Sequence, residues 1–130
     1  MGKCTAGSGN REVLVAALAG VLDAVRPPGP VVAVVSILRD KAWREMLQTL
    51  AAAADEVVLT RAPSAPAERA WDLDEAARWA RERGIEAASV PDFGGALDGA
   101  ARRAATVLVT GSFHTVGDAM ARLPGVAPVG

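Results

Sequence analysis

The stretch Val31-Val-Ala-Val-Val-Ser-Ile-Leu38 decides the fold. Seven of its eight positions are apolar, most are β-branched, and nothing alternates. A strand with one wet face alternates polar and apolar residues. A continuous run of this kind belongs to a strand buried on both faces, as in a parallel sheet. It is far short of the roughly 20 apolar residues of a membrane span.

Reading outward, the same signal recurs at Val57–Thr60, more weakly at Ile85–Val90, and at Thr106–Thr110. Helical patterns lie between. After Asp40, which can cap a helix, Trp43, Met46, Leu47, Leu50 and Ala54 recur at spacings of three and four. Residues 61–71, RAPSAPAERAW, read as a loop. Asp72 with Glu75 forms a capping-box-like start, Leu73, Ala76, Ala77 and Ala80 supply an apolar face, and Gly84 ends that helix. Pro91-Asp92 open a helix to about Ala104, weakened by Gly94, Gly95 and Gly99. A last helix is expected from about Thr115 to Leu123, with Thr115 and Asp118 spaced for reciprocal capping.

Upstream, Asn10 can cap a helix over Arg11–Val25, where Leu14, Leu18, Val21, Leu22 and Val25 share one stripe. Pro27, Pro28, Gly29 and Pro30 stop it. Residues 1–10 are expected to be a flexible leader, 11–124 a single domain, and 125–130 a tail. Repeated strand–helix alternation predicts an α/β, Rossmann-like three-layer sandwich: a mostly parallel sheet with right-handed crossovers and helices on both faces.

Composition narrows the function classes. The 130 residues are 51% hydrophobic, with formal net charge −1. The basic residues are scattered among acids and alanines, so no nucleic-acid partner is expected. The single cysteine, Cys4, cannot form an internal disulfide. Met1–Asn10 is polar and Gly-rich, unlike a signal peptide. A cytoplasmic chain with no membrane association is the expectation. The three tryptophans, Trp43, Trp71 and Trp79, read as packing residues.

Open α/β sheets bind ligands beyond the carboxyl ends of their strands. That points to residues 36–41, 60–64, 91–95 and 110–115. In the last, Thr110-Gly111-Ser112 offers a hydroxyl, a glycine that lets backbone approach a ligand, and free N–H groups at a helix start. Such a turn suits a carboxylate or phosphate; equally, Ser112 can simply cap the helix. His114, the only histidine, stands beside it. No GxGxxG, GxxxxGK[ST], CxxC or HExxH pattern occurs, so no metal is expected in this chain.

Three segments, in order, resemble the C-terminal domain of dihydrofolate synthase/folylpolyglutamate synthase, a branch of the Mur ligase superfamily. VVAVVSILRDKAWREML (31–47) is similar to that family's strand, Gly-x-x-x-Asp-Lys-Asp and helix. DEVVLTRAPSAPAERA (55–70) is similar to its V-T-x-P-x-x-P-R-A stretch. VLVTGSFHTVGDAM (107–120) is the most specific, close to V-x-[ST]-G-S-[FL]-[YH]-x-V-G-[ED]. The resemblance implies an ATP-dependent amide ligase, which phosphorylates a carboxylate of dihydropteroate or folate before L-glutamate displaces the phosphate. By the same resemblance Ser112 faces the glutamate, and Asp40 and Lys41, with Asn10, lie near the nucleotide and interdomain cleft; Thr110, Gly111 and His114 are candidate contacts beside Ser112 from the turn itself, and a lone loop histidine can equally be just exposed.

The departures bear on activity. Where the family has Asp-Gly-Ala-His-Asn-Pro, this chain has AGSGNR at residues 6–11, keeping only Gly7 and Asn10. Ser36 replaces the family Gly, and Ala42 the second Asp of Asp-Lys-Asp. ATP and Mg²⁺ are expected only with a P-loop ATPase domain, in cis or in trans, and this polypeptide alone is expected to be inactive as a ligase. The competing reading is a stand-alone ligand-binding or interaction module that kept the fold and lost the chemistry. Apolar surface without a partner domain would favour a homodimer.

Overall fold

The computed structural model describes residues 3–5, 12–15, 30–111 and 113–122. In chain order these form strands β1 (Lys3–Thr5), β2 (Glu12–Val15) and β3 (Val31–Val35), helix α1 (Trp43–Ala53), strand β4 (Glu56–Leu59), a 3₁₀ turn (Ala67–Arg69), helix α2 (Leu73–Glu82), strand β5 (Ala87–Ser89), helix α3 (Phe93–Arg103), strand β6 (Thr106–Thr110) and helix α4 (Phe113–Arg122). One six-stranded sheet runs β1-β2-β6-β3-β4-β5. Only the β1–β2 pair is antiparallel.

The two central strands explain the opening signal. All five residues of β3 and all five of β6 are buried, in register from Val31 opposite Thr106 to Val35 opposite Thr110. On one face Ala33, Val35, Ile37 and Leu108 pack with Trp43, Leu47 and Leu50 of α1, Leu73, Ala76 and Ala77 of α2, and Trp71. On the other, Val32, Val34, Val107 and Val109 pack with Phe93, Ala96, Leu97 and Ala100 of α3 and Ala119 of α4. Helices on both faces make the expected three-layer α/β sandwich. Leu47 and Leu50 are fully buried.

Two sequence expectations fail at the amino terminus. Residues 12–15 open no helix; they form β2, parallel to β6, with Val13 opposite Val107. The helical stripe from Leu14 to Val25 is a local signal. The β-branched Val13 and Val15 instead complete the hydrogen bonding of buried β6, whose second edge would otherwise stay unpaired. Any helix over residues 16–25 lies outside the described residues, as does Asn10. Within the supposed leader, Lys3–Thr5 forms β1, a three-residue antiparallel strand on β2. A short polar strand of this kind covers the outer edge of β2.

Helix boundaries follow their caps with two exceptions. The Asp72 carboxylate accepts from the Asp74 and Glu75 amides at the start of α2, and the Asp92 carboxylate from the Gly95 amide at the start of α3. Gly84, at φ +73°, ends α2. Asp40 does not cap α1. A turn intervenes, with the Lys41 N–H on the Leu38 carbonyl at 3.0 Å and the Trp43 N–H on the Lys41 carbonyl at 2.8 Å, so the helix starts after Ala42 with no side-chain cap. Thr115 and Asp118 do not cap reciprocally either. The helix begins earlier, at Phe113, and both side chains bond to other parts of the chain. At the amino edge of the sheet, Arg103 forks onto Glu56 with two 2.8 Å bonds, and that hydrogen bond raises the guanidinium pKa above its ordinary value.

Trp43, Trp71 and Trp79 are packing residues, as read. Edge-to-face contacts join Trp43 to Trp71 at 6.0 Å and to Trp79 at 5.7 Å between ring centroids.

Candidate functional site

The strand order reverses between β3 and β6. From β3 the chain builds outward to β4 and β5, then returns through α3 to place β6 on the other side of β3. In an open α/β sheet the carboxyl side of such a reversal is where a ligand crevice forms. Here it brings together Ser36, Thr110, Gly111 and Thr115.

Ser36 is the hub. Its N–H donates to the Thr110 carbonyl at 3.3 Å. Its Oγ accepts from the Ala62 N–H at 3.0 Å, and its carbonyl accepts from the Thr115 hydroxyl at 2.7 Å. One residue thus ties the ends of β3 and β6 to the loop after β4 and to the first turn of α4. Gly111 packs onto it at φ +133°, where a Cβ would collide with the Ser36 carbonyl. Both the dihedral and the close approach demand glycine. The Thr110 hydroxyl beside it is fully buried and has no hydrogen-bond partner among the described residues. Leaving such a group unmade costs on the order of 1–3 kcal/mol.

The loop after β4 is fastened at both ends. The Trp71 indole N–H donates to the Thr60 carbonyl at 2.8 Å, and the Ser64 N–H donates to the Asp118 carboxylate at 3.0 Å. A second fastening joins it to the chain beyond β3. Leu38 bridges Ala70 in antiparallel fashion, the Arg39 N–H donates to the Arg69 carbonyl at 2.9 Å, and the Arg69 guanidinium pairs with Asp40 at 3.2 Å. Between these elements and α2 opens a cleft of about 910 Å³, with Trp43 and Trp71 in its lining and Arg39, Arg44, Arg61, Asp72 and Glu75 among its charged groups.

The model of the family described as "Mur ligase, glutamate ligase domain" matches residues 13–113. The chain belongs to this family. Similar solved structures are folylpolyglutamate synthases. That of Mycobacterium tuberculosis, complexed with ADP and AMPPCP, is 26% identical at a TM-score of 0.72, over 87% of this chain. A bifunctional folylpolyglutamate synthase/dihydrofolate synthase with Mn, AMPPNP and L-glutamate bound is 27% identical at 0.67, over 90%. E. coli FolC, in complex with DHPP and ADP, is 30% identical at 0.65, over 90%. The chain spans 30% of the length of each of these three proteins. A comparison with curated proteins gives no match.

Within this Mur ligase domain the expected site residues fall into two groups. Thr110 and Gly111 stand at the reversal point, and the backbone of His114 lies in the first turn of α4. Ser112 lies outside the described residues. Asp40 and Lys41 are exposed in the turn fastened by Arg69, with Asp40 engaged by that arginine rather than by a helix end. Sequence reasoning placed Ser36 at the start of the 36–41 loop and as a departure from the family glycine, without its partners. It read Thr115 as a helix cap and missed its bond to Ser36, as it missed the pairing of Arg69 with Asp40, because these partners are 79 and 29 positions apart. Arg61 and Arg69 within RAPSAPAERAW were the available signal.

Proposed function

We propose that this domain is the glutamate-binding lid of an ATP-dependent amide ligase that adds L-glutamate to dihydropteroate or folate in the cytoplasm. The observation that carries the reading is the Gly111 approach to Ser36 at the strand reversal. It sets Thr110 and Gly111 just ahead of α4, where backbone N–H groups and the positive end of the helix dipole favour a carboxylate. Ser112 and Gly111 receive the glutamate in this reading, with Thr110 and His114 beside them. Asp40, Lys41 and Asn10 line the side toward the nucleotide. The similar structure holding L-glutamate supports the choice of amino acid.

Phosphoryl transfer is assigned to a P-loop domain supplied in cis or in trans, since the 130 residues contain no GxxxxGK[ST] sequence. ATP and Mg²⁺ belong with that domain. Among the described residues no three His, Cys, Asp or Glu side chains gather as a metal would need. The domain's own part is to hold the amine of glutamate in place and to exclude water from the acyl phosphate as the lid closes.

ATP-dependent glutamate addition tests this. The purified 130-residue polypeptide should give no turnover above blank, and adding a P-loop partner domain from a folylpolyglutamate synthase should restore it. Turnover by the polypeptide alone would contradict the division of labour. Failure of L-glutamate to bind at all would favour a stand-alone module that has lost the chemistry.

A further inference from the structure

We propose that Thr115 and Asp118 are positioning residues for glutamate, holding the first turn of α4 over the strand reversal from one face of that helix. The role rests on the glutamate-binding function proposed above. Neither side chain is assigned a contact with the ligand; both act through the backbone they hold.

Residues three positions apart share a helix face. On this face the fully buried Thr115 hydroxyl donates to the Ser36 carbonyl at 2.7 Å, and the Asp118 carboxylate accepts from the Ser64 N–H at 3.0 Å. Ser36 Oγ in turn accepts from the Ala62 N–H at 3.0 Å. The three bonds close a ring. They run from α4 to Ser36, from Ser36 to the loop after β4, and from that loop back to α4. A single bond would leave α4 a pivot; the ring fixes both its position and its rotation.

The same Ser36 carbonyl serves the other end of the turn. Gly111 lies so close to it that a Cβ there would collide, and the Ser36 N–H donates to the Thr110 carbonyl at 3.3 Å. Both ends of the segment that receives glutamate are therefore pinned on one residue. Apolar packing adds little orientation. Among the described residues α4 gives the core one small side chain, Ala119. A site built on backbone N–H groups depends on where its helix stands, and a displacement on the order of 1 Å can cost on the order of 10²-fold in rate.

The test measures L-glutamate affinity of the full chain by calorimetry, well below the melting temperature of every variant, with thermal melts alongside. Thr115→Val keeps the shape of the side chain and removes its hydroxyl. Asp118→Ala breaks the ring at its exposed bond, where water replaces the lost acceptor, so its folding does not depend on a buried partner. Each should weaken L-glutamate binding roughly three- to thirtyfold, the range for residues that act through others. Thr115→Ser keeps the donor and should restore wild-type affinity. Leu50→Val, in the last turn of α1 near the amino end of the sheet, should lower the melting temperature and leave affinity unchanged. Wild-type affinity in both Thr115→Val and Asp118→Ala, no rescue by Thr115→Ser, or an equal loss in Leu50→Val would each overturn the positioning role while the glutamate function stands. No binding of L-glutamate by wild type would overturn both.

Discussion

Ser36 and Gly111 form a single contact, and each side of it can be tested. Gly111→Ala places a side chain at φ +133° and into the Ser36 carbonyl. Strain and overpacking together should cost at least about 2 kcal/mol, read as a lower urea midpoint. Ser36→Ala leaves the buried Ala62 N–H without its acceptor and should cost about 1–3 kcal/mol. A Ser36→Ala midpoint equal to wild type would mean that this hydroxyl does not join the loop to β3. The hub was not legible in the sequence. VVAVVSIL identifies a buried strand, but nothing local tells that its serine meets Ala62, Thr110 and Thr115, because those partners come from three other segments.

At the scale of elements, the two aspartates near helix starts differ. Asp72 caps α2 through two backbone amides, whereas Asp40 pairs with Arg69 at the surface. Asp72→Ala should cost about 1 kcal/mol. Asp40→Ala should cost less, between 0 and about 1 kcal/mol, since exposed pairs are screened by water and salt. Equal costs would contradict the placement of the helix start after Ala42. In the core, Leu47→Ala or Leu50→Ala, both fully buried, should each cost about 2–5 kcal/mol in denaturant unfolding. Capping by Asp72 and Asp92 was legible because it is local, each side chain reaching amides two or three residues on. Asp40 misled because its spacing fits a cap equally well, and only the turn through Leu38 and Lys41 moves the helix out of reach. Glu12–Val15 misled for a related reason. Its partner strand begins at Thr106, and long-range pairing outweighed a helical stripe.

For the whole molecule, the sheet and its helical layers were legible from Val31–Leu38 and Thr106–Thr110, where burial on both faces leaves a continuous apolar signature. The amino-terminal strands β1 and β2 were not, being short and defined by pairing alone. The candidate site was legible as a place, the carboxyl end of β6, through Thr110-Gly111-Ser112. Its other half, the contacts of Ser36 with Ala62 and Thr115, required the fold. The central claim is that this Mur ligase domain receives glutamate at the β3–β6 reversal. Backbone amide resonances during an L-glutamate titration test it most directly. The account predicts saturable shifts at Thr110, Gly111, Ser112 and the first turn of α4, lost in Ser112→Ala. No shift there at saturating glutamate, or shifts confined to another part of the sheet, would contradict it.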